Sequence, residues 1–363
     1  MRASSPPRVT AAPGPAPAAG LARLLRVLVL LTAGLYVAAL VAAVVGLRFV
    51  GEGWWVTAAA LYLPRFVLAV PLPLVALALW AFKLRRYLWT QVLAALLVLF
   101  PLMGGILSWP TSPKREAPVV RLLSYNVNSG YSGYANIVEE VERYSPDIVF
   151  LQEIGSVDEI VARLKEHFTT VHVSGQFVLA TRYNVVSEVD PDKVVHQGRS
   201  RSPRFVQYLI ETPLGPVAFY NVHPISPRVG LYALRSGGLR HKLLAPTHWL
   251  TAFDSTILMA DAGLRATQVQ AFAQAAGRET LPVVVAGDTN LPGLSRILNE
   301  NLSRFQDGFA AVGQGFGYTF PTGRAWMRID RVMASSALRF VGFQVGKSAA
   351  SDHHCVVADL QAR

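Results

Sequence analysis

Leu281-Pro-Val-Val-Val-Ala-Gly-Asp-Thr-Asn290, followed by Leu291-Pro-Gly293, is an apolar run that stops at a glycine and then presents a carboxylate and an amide two residues apart. On extended backbone, side chains i and i+2 point the same way. Asp288 and Asn290 would therefore face one spot beyond a sheet edge, a common place for sites in α/β proteins. Taken alone, the stretch reads equally well as a strand entering an Asx turn, with both side chains serving local hydrogen bonds. Other strand ends decide between the two.

Leu122-Leu-Ser-Tyr-Asn-Val-Asn128 ends in the amides Asn126 and Asn128, and Ile148-Val-Phe-Leu-Gln-Glu153 ends in a carboxylate. Phe219-Tyr-Asn-Val-His223 places an amide and an imidazole two apart; Ile329-Asp330 and Ser351-Asp-His-His354 bring further acids and imidazoles. Singly these are capping asparagines, a solvated glutamate and packed histidines. Five polar endings on otherwise apolar runs point to one shared site. Strands are expected at 119–125, 148–152, 177–181, 205–211, 217–222, 283–286, 329–334, 338–345 and 355–360. Helices are expected at 137–144, 157–167, 263–276 and 294–301. Strands dominate and helices intervene, which predicts an α+β fold with a two-layered β core and helices outside. Residues 226–262 fit this pattern poorly and read as an excursion that touches a membrane or covers the site.

The first third has a different texture. Residues 1–20, rich in Pro, Ala and Ser, read as a disordered cytoplasmic tail. Apolar runs at 24–47, 66–82 and 88–109 predict a membrane domain over 21–109 with three transmembrane helices; a cleaved signal peptide is the competing reading of the first. Arg2, Arg8, Arg23 and Arg26, with Lys83, Arg85 and Arg86, would lie in the cytoplasm by the positive-inside rule. Three crossings would then place a linker (110–118) and the domain 119–363 outside it. Residues 1–118 hold 11 Lys and Arg against 2 acids, and residues 119–363 hold 23 against 21, balances of +9 and +2. The basic character belongs to the membrane region, which argues against a basic nucleic-acid-binding domain. One cysteine, Cys355, excludes an internal disulfide framework.

The motifs Ser124-Tyr-Asn-Val-Asn128, Leu151-Gln-Glu153, Asn221-Val-His223, Gly287-Asp-Thr-Asn290, Arg328-Ile-Asp-Arg331 and Ser351-Asp-His353 resemble, in order, those of the endonuclease/exonuclease/phosphatase superfamily, typified by DNase I and the sphingomyelinases. The resemblance implies a DNase I-like four-layer α/β sandwich and hydrolysis of a phosphate ester with Mg²⁺ or Mn²⁺. It implies Glu153 as main metal ligand with Asn126 and Asp352 beside it, oxygen donors suited to a hard cation. His353 would lie nearest the reacting phosphate, its ring held by Asp330. Asp288 would orient or deprotonate the attacking water, and Asn290 and His223 would donate to phosphate oxygens. Asn128 stands where several relatives carry an acid and is expected to contact substrate. Arg199 and Arg201, with Arg204, are candidates for gripping a second phosphate, or else a solvated loop. Tyr318-Thr-Phe-Pro321 and Trp326 resemble an aromatic loop that walls the site.

These readings predict a membrane-anchored phosphoesterase whose partners are the bilayer and a phosphate ester, a lipid-linked one being a candidate. The alternatives are an extracytoplasmic nuclease on DNA or RNA, disfavoured by the near-neutral domain, and a catalytically inactive binding module.

Overall fold

The computed structural model describes residues 17–108, 117–236, 255–347 and 349–363. Ahead of the sheets lies β1 (Ile106–Leu107). There follow β2 (Val120–Asn126), β3 (Ile148–Gln152), β4 (Thr170–Ser174), β5 (Phe177–Thr181), β6 (Asn184–Val189) and a ribbon of β7 (Val194–His196) and β8 (Arg199–Arg201). The second half contributes β9 (Phe205–Thr212), β10 (Gly215–Val222), β11 (Val283–Asp288), β12 (Gln306–Asp307), β13 (Gln314–Gly315), β14 (Asp330–Ala334), β15 (Leu338–Val345) and β16 (Val356–Ala362). One sheet has the order β15-β16-β2-β3-β5-β4, the other β12-β14-β11-β10-β9-β6.

Period-two alternation makes these sheets two-faced. Leu122, Ile148, Phe150, Phe219, Val284, Ala286 and Val332 share one core between the sheets. Their neighbours Leu123, Val149 and Leu151 face outward and are covered by the helices Tyr134–Arg143 and Val157–Leu164. On the other side Ala218, Tyr220, Val283 and Val285 are covered by Thr256–Arg278 and Arg296–Leu302. Helix, sheet, sheet, helix is the four-layer sandwich expected. The longer strands that sequence reading missed, β4 and β6 to β8, are partly or wholly exposed, and β1, β12 and β13, also missed, are two residues each, so no apolar run of strand length announces any of them. The excursion forms a helix at Arg228–Ser236 and the early turns of Thr256–Arg278; the rest of it lies outside the described residues.

The apolar amino-terminal part corrects one expectation. Among the described residues only one helix, Gly20–Gly53, is long and apolar enough to cross a bilayer. The second run gives a shorter apolar helical stretch, Arg65–Ala81, and the third a helix at Trp89–Leu97 with a π turn holding Pro101. Prolines at 64, 71, 73 and 101 lack the amide that helix propagation needs, so three long spans become one long helix with two short ones packed on it. Val29 and Leu30 of the long helix pack with Val75, Leu79, Leu84, Tyr87 and Leu88. Its other end meets the sandwich, where Leu47, Leu61, Tyr62 and Leu102 share a cluster with Leu294, Met327 and Ile329. β1 pairs with β13 at the same junction.

Candidate active site

The parity that builds the core also builds the site. β2 pairs parallel with β3, and β10 with β11, so their carboxyl ends lie together; β14 runs antiparallel to β11 and starts at that end. Continuing the inward-facing positions along each strand arrives at Asn126, His223, Asp288 and Asp330. All four are buried, at one end of the cleft between the sheets. Just below them a polar tie joins the sheets: Gln152 Nε2 donates to Ser124 Oγ (3.2 Å) and Asn221 Oδ1 (2.8 Å). Asn221, expected beside His223 in its motif, therefore braces the sandwich.

Glu153 falls on the outward parity but adopts φ +57°, a left-handed turn that re-aims it. Its Oε1 lies 3.3 Å from the Asn126 amide nitrogen and 3.2 Å from His223 Nε2. Burial opposes ionisation of Glu153, yet the His223 and Asn126 contacts hold it down at about 2. The close approach of β11 to β10 depends on Gly287, where a Cβ would meet the Val222 carbonyl oxygen at 1.9 Å. That approach brings Asp288 Oδ2 to 3.6 Å from His223 Nε2, 3.1 Å from Asn126 Nδ2 and 3.7 Å from His353 Nε2. Burial pushes the Asp288 carboxyl up, with His353 pulling against it.

His353 is held by its other nitrogen: Nδ1 is 2.9 Å from Asp330 Oδ2, and Phe320 covers the ring at 4.6 Å between centroids. Burial alone would lower the imidazole pKa, but the Asp330 and Asp288 charges push it up to about 9. Asn290, at φ +51°, donates its amide to Pro224 O (3.0 Å) and Asp288 Oδ2 (3.3 Å). A cavity of about 400 Å³ is lined by the polar groups Glu153, Asp288, Asn290, His353 and Arg228 together with Tyr62, Leu231, Phe320, Trp326 and Met327.

Other expected residues are placed differently. Asp352 turns its carboxylate to Arg228 (3.1 Å). Asn128 donates its backbone amide to Asn126 Oδ1 (3.1 Å) at φ +45°. Arg199 and Arg201 are exposed on the β7–β8 ribbon and do not line the cavity; Arg204 instead lies within electrostatic reach of Glu153. Sequence reading missed Gln176, whose Oε1 meets His223 Nδ1 at 2.8 Å, and Tyr62 in the cavity wall. Neither lies in a recognisable motif.

A hard divalent cation suits this donor set. Glu153 is kept ionised and is only partly buried, and the Asn126 side chain beside it would offer a second oxygen once that oxygen leaves the Asn128 backbone amide. Asp288, Asp330 and His353 also have ligand atoms mutually within 4.8 Å, but the Nδ1 bond to Asp330 marks that trio as an oriented imidazole between carboxylates.

No curated protein matches the chain. Solved structures similar to it include an endonuclease/exonuclease/phosphatase protein from Beutenbergia cavernae, at 18% identity, covering 67% of this chain and 72% of that one with a TM-score of 0.46. D. rerio TDP2 complexed with a single-strand DNA product is similar at 16% identity, covering 67% and 99%, TM-score 0.48. A Bacteroides thetaiotaomicron mannosyl-6-phosphatase is similar at 14%, covering 66% and 99%, TM-score 0.42. The sequence model of the Endonuclease/Exonuclease/phosphatase family matches residues 123–353, from the second sheet strand to the imidazole that Asp330 holds. Well over half of the chain is thus accounted for, and it belongs to the endonuclease/exonuclease/phosphatase family of metal-dependent phosphoester hydrolases.

Proposed function

We propose that the chain is a membrane-anchored phosphoesterase that uses Mg²⁺ or Mn²⁺ to hydrolyse a phosphate ester by water attack, at an active site outside the cytoplasm. The observation that carries this is the convergence of Glu153, Asn126, His223, Asp288 and His353, joined by contacts of 3.7 Å or less, with Glu153, Asp288, Asn290 and His353 lining a single cavity. A cation held by Glu153 and Asn126 would neutralise charge on the phosphoryl oxygens and stabilise the leaving alkoxide. His353, protonated at neutral pH, supplies a cation and an Nε2 proton to the phosphate. Asp288 faces the same space and orients the attacking water or accepts its proton. Asn290, on giving up its longer bond to Asp288, would add a donor, with His223, where negative charge grows in the transition state. Asp352, drawn to Arg228, would join the cation only after leaving that partner.

Membrane anchorage is supported by the Gly20–Gly53 helix and by the apolar exposure of Leu24, Leu28, Leu35, Leu74, Trp80 and Val92 across the bundle. Val29 and Leu30 pack beside Leu84 and Tyr87, so Arg23 and Arg26 share the far end with Lys83, Arg85 and Arg86. By the positive-inside rule that end is cytoplasmic and the sandwich is on the other side. The apolar remainder of the cavity, at the junction with the membrane region, favours an ester carrying a lipid group over DNA or RNA. An inactive binding module is disfavoured by the intact set of acids and imidazoles.

Glu153→Gln in the full chain should cut Mg²⁺-supported turnover at least 100-fold while the melting temperature moves by only a few degrees. EDTA should abolish wild-type turnover, and Mg²⁺ or Mn²⁺ should restore it. Chelator-resistant turnover, or near-full activity of the variant, would reject the reading.

A further inference from the structure

Part of what holds Asn290 in place comes from outside the sandwich. The Tyr62 hydroxyl, in the segment joining the first two apolar helices, donates to the Asn290 carbonyl oxygen at 3.0 Å. The same hydroxyl accepts from Arg265 Nη1 at 3.0 Å. Arg265 is itself fully buried and donates through Nε to Ile225 O at 2.7 Å. The relay Ile225–Arg265–Tyr62–Asn290 thus clasps both loops between which the Asn290 amide is strung, since that amide donates to Pro224 O.

Tyr62 is locked from behind. Trp326 Nε1 donates to its carbonyl at 3.2 Å. The surrounding junction is closely fitted: a Cβ at Gly51 would meet Arg296 Cβ at 2.9 Å. Glu52 is buried there and accepts from the Ser295 hydroxyl and from the amides of Arg296 (3.0 Å) and Ile297 (3.4 Å). A buried, hydrogen-bonded carboxylate in such a junction resists separation.

We infer that Tyr62 is a positioning residue for the hydrolytic site, contributed by the membrane region. Asn290 stands in the left-handed region, which asparagine enters more readily than most residues. A donor on its carbonyl oxygen fixes the plane of the following peptide, and with it the direction of the Asn290 amide. This rests on the proposed role of Asn290 as a donor to the phosphate. The anchor and the sandwich therefore form one catalytic unit.

The test uses the full chain in detergent with p-nitrophenyl phosphate and Mg²⁺ as probe, and compares Tyr62→Phe, Asn290→Ala and the double variant. Tyr62→Phe keeps the ring in the cavity wall and removes only the hydroxyl. It should lower kcat about tenfold with KM changed less than twofold, and should cost nothing further on the Asn290→Ala background. Amide hydrogen exchange across residues 288–292 should quicken at least tenfold, a readout that needs no turnover. Unchanged kcat and unchanged exchange, or fully additive losses, would overturn the inference. Should Tyr62→Phe fail to fold, Arg265→Lys, which loses the planar fork, enters the same cycle with the same expectation. If wild type turns over no ester, the hydrolytic reading fails, and the exchange arm alone still decides whether Tyr62 holds the Asn290 loop.

Discussion

At the scale of single residues, His353 shows how neighbours decide chemistry. A buried imidazole would ordinarily lose its proton, and the Asp330 and Asp288 carboxylates reverse that, raising it to about 9. A raised histidine pKa stabilises the fold fully below the unfolded value, and this contribution is lost as pH rises through the folded one. Activity that needs the protonated ring should therefore fall as pH rises through about 9. Asp330→Asn removes the nearer charge, so its alkaline limb should shift to lower pH while Glu153-dependent metal activation persists. An unshifted limb in a pH–rate profile would show that Asp330 does not set the His353 proton. Asp330 Oδ1 is buried without a partner, so the whole pairing of this carboxylate rests on its other oxygen.

At the scale of elements, each polar group owes its place to a strand end or the turn after it. β14 illustrates the support required. Arg331, fully buried, donates to Leu291 O and Arg328 O and pairs with Asp307 on β12, while Arg328 pairs with the same carboxylate at 2.6 Å. Burial alone would raise the Asp307 pKa, but the two guanidinium groups hold it down at about 2. The linkage is that of a depressed acid. Its stabilisation is present above the unfolded carboxyl pKa and is lost as pH falls through about 2. Asp307→Asn leaves two cations short of their partner and should cost about 3–5 kcal/mol in chemical denaturation. It should also flatten the acid limb of stability between roughly pH 4 and pH 2. A loss below about 1 kcal/mol would show the cluster to be no better than a surface pair.

At the scale of the molecule, the apolar helices and the sandwich meet through a shared apolar cluster and a strand pair. The long helix runs from a cation-bearing end to the catalytic body. A reporter fused after Arg363 should be active only on the extracytoplasmic side; cytoplasmic activity would reverse the proposed orientation.

The strand ends were legible because an apolar run is a local signal: where Asn126, Glu153, His223 or Asp288 breaks it, neighbouring residues alone show the point at which polar groups begin. Those breaks mark residues that the fold brings within hydrogen-bond reach of one another. Tertiary structure alone decided three matters. How the apolar amino-terminal part divides, into one long helix with two short ones packed on it, depended on the bundle those segments form. Arg199 and Arg201 were sent outward on a ribbon, and Asp352 to Arg228, because a loop residue's direction follows from what packs beneath it. Tyr62 reached Asn290 across more than two hundred residues of chain, a contact with no local pattern to announce it, since only the docking of two separately encoded layers brings those atoms together.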